Sequence, residues 1–222
     1  MATLYLVRHG QASFGADNYD QLSDLGQRQC LQLGRHFAAK GLKFDAALTG
    51  THQRHRQTLE GICAGAQTAL EASRWPALNQ YDSDAVIAAV HPEPLARPTT
   101  PEHCSHHFRL LRLGLTQWML GKTQPQGMPA WRVFQQAVVD VLTHIRQSDA
   151  QQVLLVSSSG PIACAIGHVL ATPPEASVEL GLRLRNSSVT EFTFSAKRQM
   201  LQTYNTLSHL DTREFDGWIS FI

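Results

Sequence analysis

Apolar residues along this chain come in two rhythms. Short unbroken runs, Leu4–Val7 and Val153–Val156, carry β-branched and aromatic members and read as strands buried on both faces, as central strands of a parallel sheet are. Phe44–Leu48 reads as a further short strand. Between them lie stripes at helical spacing: Cys30, Leu33, Gly34, Phe37 and Ala38, then Leu110–Leu120, then Phe134, Ala137, Val138, Val141, Leu142 and Ile145. Ser23 is placed to cap the first of these helices, Asp24 to complement its dipole and Gly41 to end it. A helix over 163–170 follows the Val153 strand. The tail alternates over Ser188–Ser195 and Met200–Asn205 as a strand hairpin does. Polar or Pro-rich breaks fall at 11–21, 91–94 and 98–101.

Strands alternating with helices predict an α/β fold, a three-layer α/β/α sandwich with a mostly parallel central sheet. The 222 residues suffice for one domain, 1–222, with a helical cap insertion over about 84–130. Hydrophobic residues make up 43%, charged residues 17%, and the net charge is +1, which argues against nucleic-acid or membrane-surface partners. The N-terminus lacks a basic region and a long apolar run, so the expected location is the cytoplasm. Cys30, Cys63, Cys104 and Cys164 are widely spaced, as structural thiols are. His103, Cys104, His106 and His107 form one dense cluster, but they match no metal-ligand spacing; no metal or other cofactor is expected. Trp118 and Trp131 read as packing aromatics.

The first strand ends on Arg8, His9 and Gly10. In open α/β sheets ligands bind at the carboxyl ends of strands. A fixed cation beside an imidazole disfavours its protonated form, and a neutral imidazole is a nucleophile. The guanidinium is a planar fork suited to phosphate oxygens, and Gly10 lets the backbone approach closely. A second anion-facing element opens near Thr51, where Arg54 falls in the first turn of a helix. A third is Ser157-Ser158-Ser159-Gly160-Pro161, between the Val153 strand and its helix.

Leu6-Val7-Arg8-His9-Gly10-Gln11 resembles the signature of the histidine phosphatase superfamily, the phosphoglycerate mutase-like proteins, in which the histidine takes the phosphoryl group covalently. Leu22-Ser23-Asp24-Leu25-Gly26 is similar to the family's Leu-Thr-x-x-Gly helix opening, and Asn186-Ser187-Ser188-Val189-Thr190 to its closing Asn-x-Ser-Val-Thr. Thr51–Thr58 resembles its Ser-Pro-Leu-x-Arg-Ala-x-Gln-Thr, which puts Arg54 on the phosphate-binding arginine. Gly50 and Thr51 stand where the motif has Ser-Pro, a change expected to shape the turn rather than the chemistry.

Two departures touch the implied chemistry. Where the family carries a proton-donating glutamate this chain has Gln80, which cannot release a proton at useful pH. Asp82 is the nearest carboxyl group; it is either a substitute donor or a turn cap. Where the family's Ser/Thr-His-Gly-Gly-x-Ile carries a second histidine, this chain has Ser158, either a neutral donor to phosphate or a helix cap. The resemblance implies hydrolysis of phosphomonoesters or phosphoramidates through a phosphohistidine on His9, with Arg8, Gly10, Arg54 and Ser158 holding the phosphate. The two changes imply a preference for good leaving groups. The alternative is a pseudo-phosphatase that binds a small phosphorylated ligand or phosphoprotein without turnover.

Overall fold

A computed structural model describes residues 2–13, 20–93, 95, 100–195 and 197–221. The breaks expected at 11–21, 91–94 and 98–101 lie partly outside these residues.

The first strand, β1 (Ala2–Arg8), leads into α1 (Asp24–Ala39), β2 (Ala46–Thr49), α2 (Gln53–Ala66) and β3 (Ala72–Arg74). Then come α3 (Ser83–Ala88), α4 (Pro101–Met119), α5 (Trp131–Gln147), β4 (Gln152–Ser157), α6 (Ser159–Leu170), α7 (Pro174–Leu182) and the hairpin β5 (Val189–Ser195) and β6 (Arg198–Thr206). The six strands lie in the order β3-β2-β4-β1-β5-β6. The first four run parallel; β5 and β6 are antiparallel additions at one edge.

Because strand side chains alternate, β1 serves two cores. Leu4 and Leu6 join Val153, Leu155 and the α5 and α6 residues Val141, Ile145, Ile162 and Ile166. Tyr5 and Val7 join Leu154, Val156 and the α1 and α2 residues Leu33, Phe37, Leu59 and Ile62. The result is a mixed sheet with helices on both faces, the expected α/β/α class. A third cluster holds α3 and α4 against α7 through Val86, Leu111, Leu115 and Val178 around the fully buried Trp118, which meets Trp131 edge-on at 5.0 Å. Both tryptophans are packing aromatics. Among the described residues no helix is long and apolar enough to cross a membrane.

Several boundaries move. Ser23 caps α1, its side chain accepting from Gly26 N, and Gly41 takes a left-handed φ of 67° beyond the helix. Ala38 is exposed rather than part of the buried stripe, because one residue past Phe37 the helix has turned about 100° away from the core. Phe44 precedes β2 and packs edge-to-face on Tyr5 and Phe37 instead of pairing. The helix expected near Thr51 begins at Gln53. β3 and α7 are absent from the periodicity reading: β3 is three residues with two exposed, so it carries no alternation to detect.

Leu154 sits in the central strand with no exposed surface. Leu154→Ala should lower unfolding free energy by about 2–5 kcal/mol, read as a drop in urea midpoint at unchanged slope.

Candidate active site

The carboxyl ends of β1 and β4 lie side by side, Arg8 in register with Ser157, and the His9 amide donates to Ser157 O at 2.9 Å. Just past that point the strand must turn under α1. A Cβ on Gly10 would fall 2.6 Å from Gly26 O and 2.7 Å from Cys30 Sγ, so only glycine fits. Gly10 N donates to Thr58 Oγ1 at 3.1 Å, and that hydroxyl donates to Arg54 O at 2.7 Å, which ties the turn to α2.

His9 is 4% exposed. Its Nδ1 lies 2.7 Å from Gly10 O. A carbonyl can only accept, so Nδ1 carries the hydrogen and Nε2 keeps its lone pair. Burial foremost, then the charges of Arg8, His55 and Arg54, hold the imidazole well below the ordinary histidine range, so it is neutral at pH 7. Its carbonyl is pinned from behind by Asn186 Nδ2 at 3.3 Å and Ser187 N at 3.2 Å. Ser187 Oγ in turn lies 2.9 Å from Nε2 of the buried His209.

Both arginines are buried. Arg8 donates to Leu184 O. Arg54 pairs with Asp20 at 2.7 Å, and the other Asp20 oxygen accepts from Gln53 N at 2.9 Å, so one carboxylate both orients the guanidinium and closes the N-terminus of α2.

Gln80 does not stand free. Its Oε1 accepts from Gly160 N at 2.9 Å, in the first turn of α6, and its side chain also bonds the Tyr81 phenol. Burial pushes that phenol up to about 12. Asp82 caps α3: one oxygen accepts from Asp84 N and Ala85 N, each at 3.0 Å, and the residue is exposed. Of its two readings, the cap is present in the structure. Ser158 is the N-cap residue of α6, yet its side chain makes no capping bond; its Oγ lies 2.7 Å from Nε2 of His55.

His55 and Asp20 are the residues that sequence reasoning missed. His55 is fully buried, its ring centroid 5.7 Å from that of His9 and 5.2 Å from that of His52. Burial, Arg54 and His52 hold it, too, well below the ordinary range. The signal was present: Thr51–Thr58 puts a histidine where the motif it resembles puts alanine. Gly50 has a larger part than shaping a turn. A Cβ there would lie 2.2 Å from His55 Nδ1, so the missing side chain makes room for the ring. Thr51 replaces a proline and uses the amide that proline lacks, donating to Asn79 Oδ1 at 2.8 Å.

Among the described residues, no three His, Cys, Asp or Glu side chains converge as metal ligands. His106 of the dense cluster lies 2.7 Å from Arg109 and meets His91 edge-on.

These elements put a neutral imidazole, its Nε2 lone pair unbonded among the described residues, within the field of two buried arginines at the carboxyl ends of parallel strands. The histidine phosphatase superfamily (branch 1) model matches residues 4–207, and the chain belongs to that family. Over its whole length it resembles a probable phosphoglycerate mutase GpmB of Cronobacter sakazakii, 26% identical over 97% of this chain and 98% of that one. A 2,3-bisphosphoglycerate-dependent phosphoglycerate mutase of Bartonella henselae is 34% identical over 85 residues, which cover only 41% of that relative. The fold is similar to that of a phosphoserine phosphatase from Entamoeba histolytica crystallised with 3-phosphoglyceric acid, with a TM-score of 0.64 at 17% identity, covering 95% of this chain and all of that one.

Three buried imidazoles, His9, His55 and His209, are depressed, His209 from 6.5 to about 3 by burial and then by the His36 charge. Each binds a proton when unfolded that it refuses when folded. Their stabilising effect is complete above about pH 6.5 and falls as pH drops from there toward the folded values. Urea midpoints should therefore decline with acid below about pH 6.5. In His209→Gln the slope over pH 6 to 4 should be shallower by up to about 1.4 kcal/mol per pH unit.

Proposed function

We propose that the chain is a phosphatase that takes a phosphoryl group onto Nε2 of His9 and passes it to water. The observation that carries the reading is the fixed tautomer of His9, neutral, with its Nε2 lone pair uncommitted among the described residues and the charges of Arg8 and Arg54 acting on the ring. In the first step the Nε2 lone pair forms a bond to phosphorus while the bond from phosphorus to the leaving group breaks. Arg8 and Arg54 balance the charge on the phosphoryl oxygens. In the second step water attacks the phosphohistidine and frees inorganic phosphate and the imidazole. Such catalysis is chiefly positioning and charge stabilisation.

Leaving-group protonation separates this chain from the implied family pattern. At that place stands the Gln80 amide, bonded to α6 and Tyr81, while Asp82 is committed to α3. The substrate must then depart without a strong acid, which favours aryl, acyl and phosphoramidate groups over sugar phosphates. Relatives that are phosphoglycerate mutases, and a fold neighbour that is a phosphoserine phosphatase, support a small phosphorylated substrate; a phosphoprotein carries the same group. In this reading 1–222 is one domain and α3 and α4 form its cap, with Leu115 and Met119 of α4 beside Tyr81 and Gly160. Free thiols at Cys30, Cys63 and Cys164 suit the reducing cytoplasm. The second reading is a binding protein without turnover, favoured by the Gln80 amide.

Intact mass after brief mixing with an aryl phosphate and acid quench should give one phosphoryl adduct in the wild type and none in His9→Ala. Phosphate binding without adduct or turnover would favour the second reading.

Aryl phosphates should turn over faster than alkyl phosphates, and Gln80→Glu should raise the alkyl rate by about 10²-fold, the lower end of what a general acid contributes. Equal aryl and alkyl rates in the wild type would overturn the preference.

A further inference from the structure

The imidazole at position 55 has no part in the steps above, yet it is built into the site with some care. It is fully buried, 2.7 Å from the Ser158 hydroxyl and beside His9. We propose that His55 is a positioning residue of the phosphoryl site, which holds the Ser158 hydroxyl so that the two side chains act as one donor to a phosphoryl group at His9. The proposal rests on the reading that this site takes a phosphoryl group.

The direction of the bond follows from what surrounds the ring. Nδ1 of His55 is buried and has no hydrogen-bond partner among the described residues. If Ser158 donated to Nε2, the ring hydrogen would sit on Nδ1 as a buried, unpaired donor. If Nε2–H donates to Ser158 Oγ, the orphan at Nδ1 is only a lone pair. Unpaired N–H groups are the rarer defect in folded proteins, so the second arrangement is favoured. In that arrangement the hydroxyl hydrogen of Ser158 is free to turn toward a ligand. The hydroxyl does not spend itself on the helix either: it makes no capping bond, and Gly160 N is taken by Gln80.

Its place is right for a phosphoryl contact. Ser158 directly follows Ser157, whose carbonyl accepts the His9 amide, and it opens α6, where backbone N–H groups already favour an anion. A hydroxyl that accepts one hydrogen bond becomes a better donor of another.

Three positions at which this chain departs from the motifs it resembles meet here. Position 158 has lost an imidazole, position 55 has gained one in place of alanine, and position 50 has lost the side chain that would collide with it. The ring has moved from the N-terminus of α6 to α2, and a serine bridges the distance.

The test uses orthovanadate and inorganic phosphate affinity, with the rate of phosphohistidine formation from an aryl phosphate, in His55→Ala, Ser158→Ala, the double variant, and His55→Ala with Ser158→His. Each single change should weaken orthovanadate binding and slow adduct formation about tenfold, the value of one hydrogen bond. The double variant should lose no more than the larger single loss, because the pair acts as a unit. Restoring the imidazole at 158 should bring affinity back to within about threefold of the wild type, a rescue that a purely structural His55 would not allow.

If His55→Ala does not fold, His55→Gln, whose amide can still donate to Ser158, replaces it in the cycle and should keep more affinity than Ser158→Ala. Single variants within twofold of the wild type, or losses that multiply independently, would overturn the pair. A wild type that binds orthovanadate but forms no phosphohistidine overturns the hydrolase reading alone, and the affinity series then decides the pair. A wild type that binds neither probe overturns both.

Discussion

The hydrogen bond from His9 Nδ1 to Gly10 O is the constraint on which the site depends. It fixes one tautomer and aims one lone pair, and it exists only because the chain turns sharply at Gly10. That turn requires α1 to pass so close that no side chain fits, which in turn requires the Leu33 and Phe37 face of α1 to seat on Tyr5 and Val7. A local contact between adjacent residues is thus maintained by the packing of a whole layer.

Among the described residues, no carboxylate acts directly on this imidazole. Arg8, Arg54 and His55 act on His9, and His52 lies beside His55. Burial and like charge act in the same direction, so every imidazole in the group is kept neutral rather than one being charged at the expense of another. Under the proposed function, a phosphoryl group would bring negative charge into this environment. Asp20 supplies part of it at Arg54, from the edge of the site rather than its centre.

Much of this was legible in the sequence, and for a physical reason. Val153–Val156 is apolar at every position because both sheet faces are covered, and Leu4–Val7 likewise; such runs announce central strands. Arg8, His9 and Gly10 follow one strand end, and the signature they resemble is contiguous, so no folding is needed to read it. β3 and α7 were not legible, since three half-exposed residues and a short helix after two prolines carry no period. Phe44 was misplaced because a strand and an aromatic packing on its flank look alike as a string.

Composition and periodicity determined the α/β class, and contiguous motifs determined the strand-end histidine and the two arginines, since these depend on neighbours within a few residues. What the serine at 158 bonds to, why Gly50 is bare, and that Asp82 caps α3 were decided only by the tertiary structure. His55 and Ser158 are 103 residues apart in the chain and 2.7 Å apart in space. A bond of that kind leaves no spacing in the sequence, because it is created by the parallel alignment of β2, β4 and β1, which brings α2 and α6 to the same edge of the sheet.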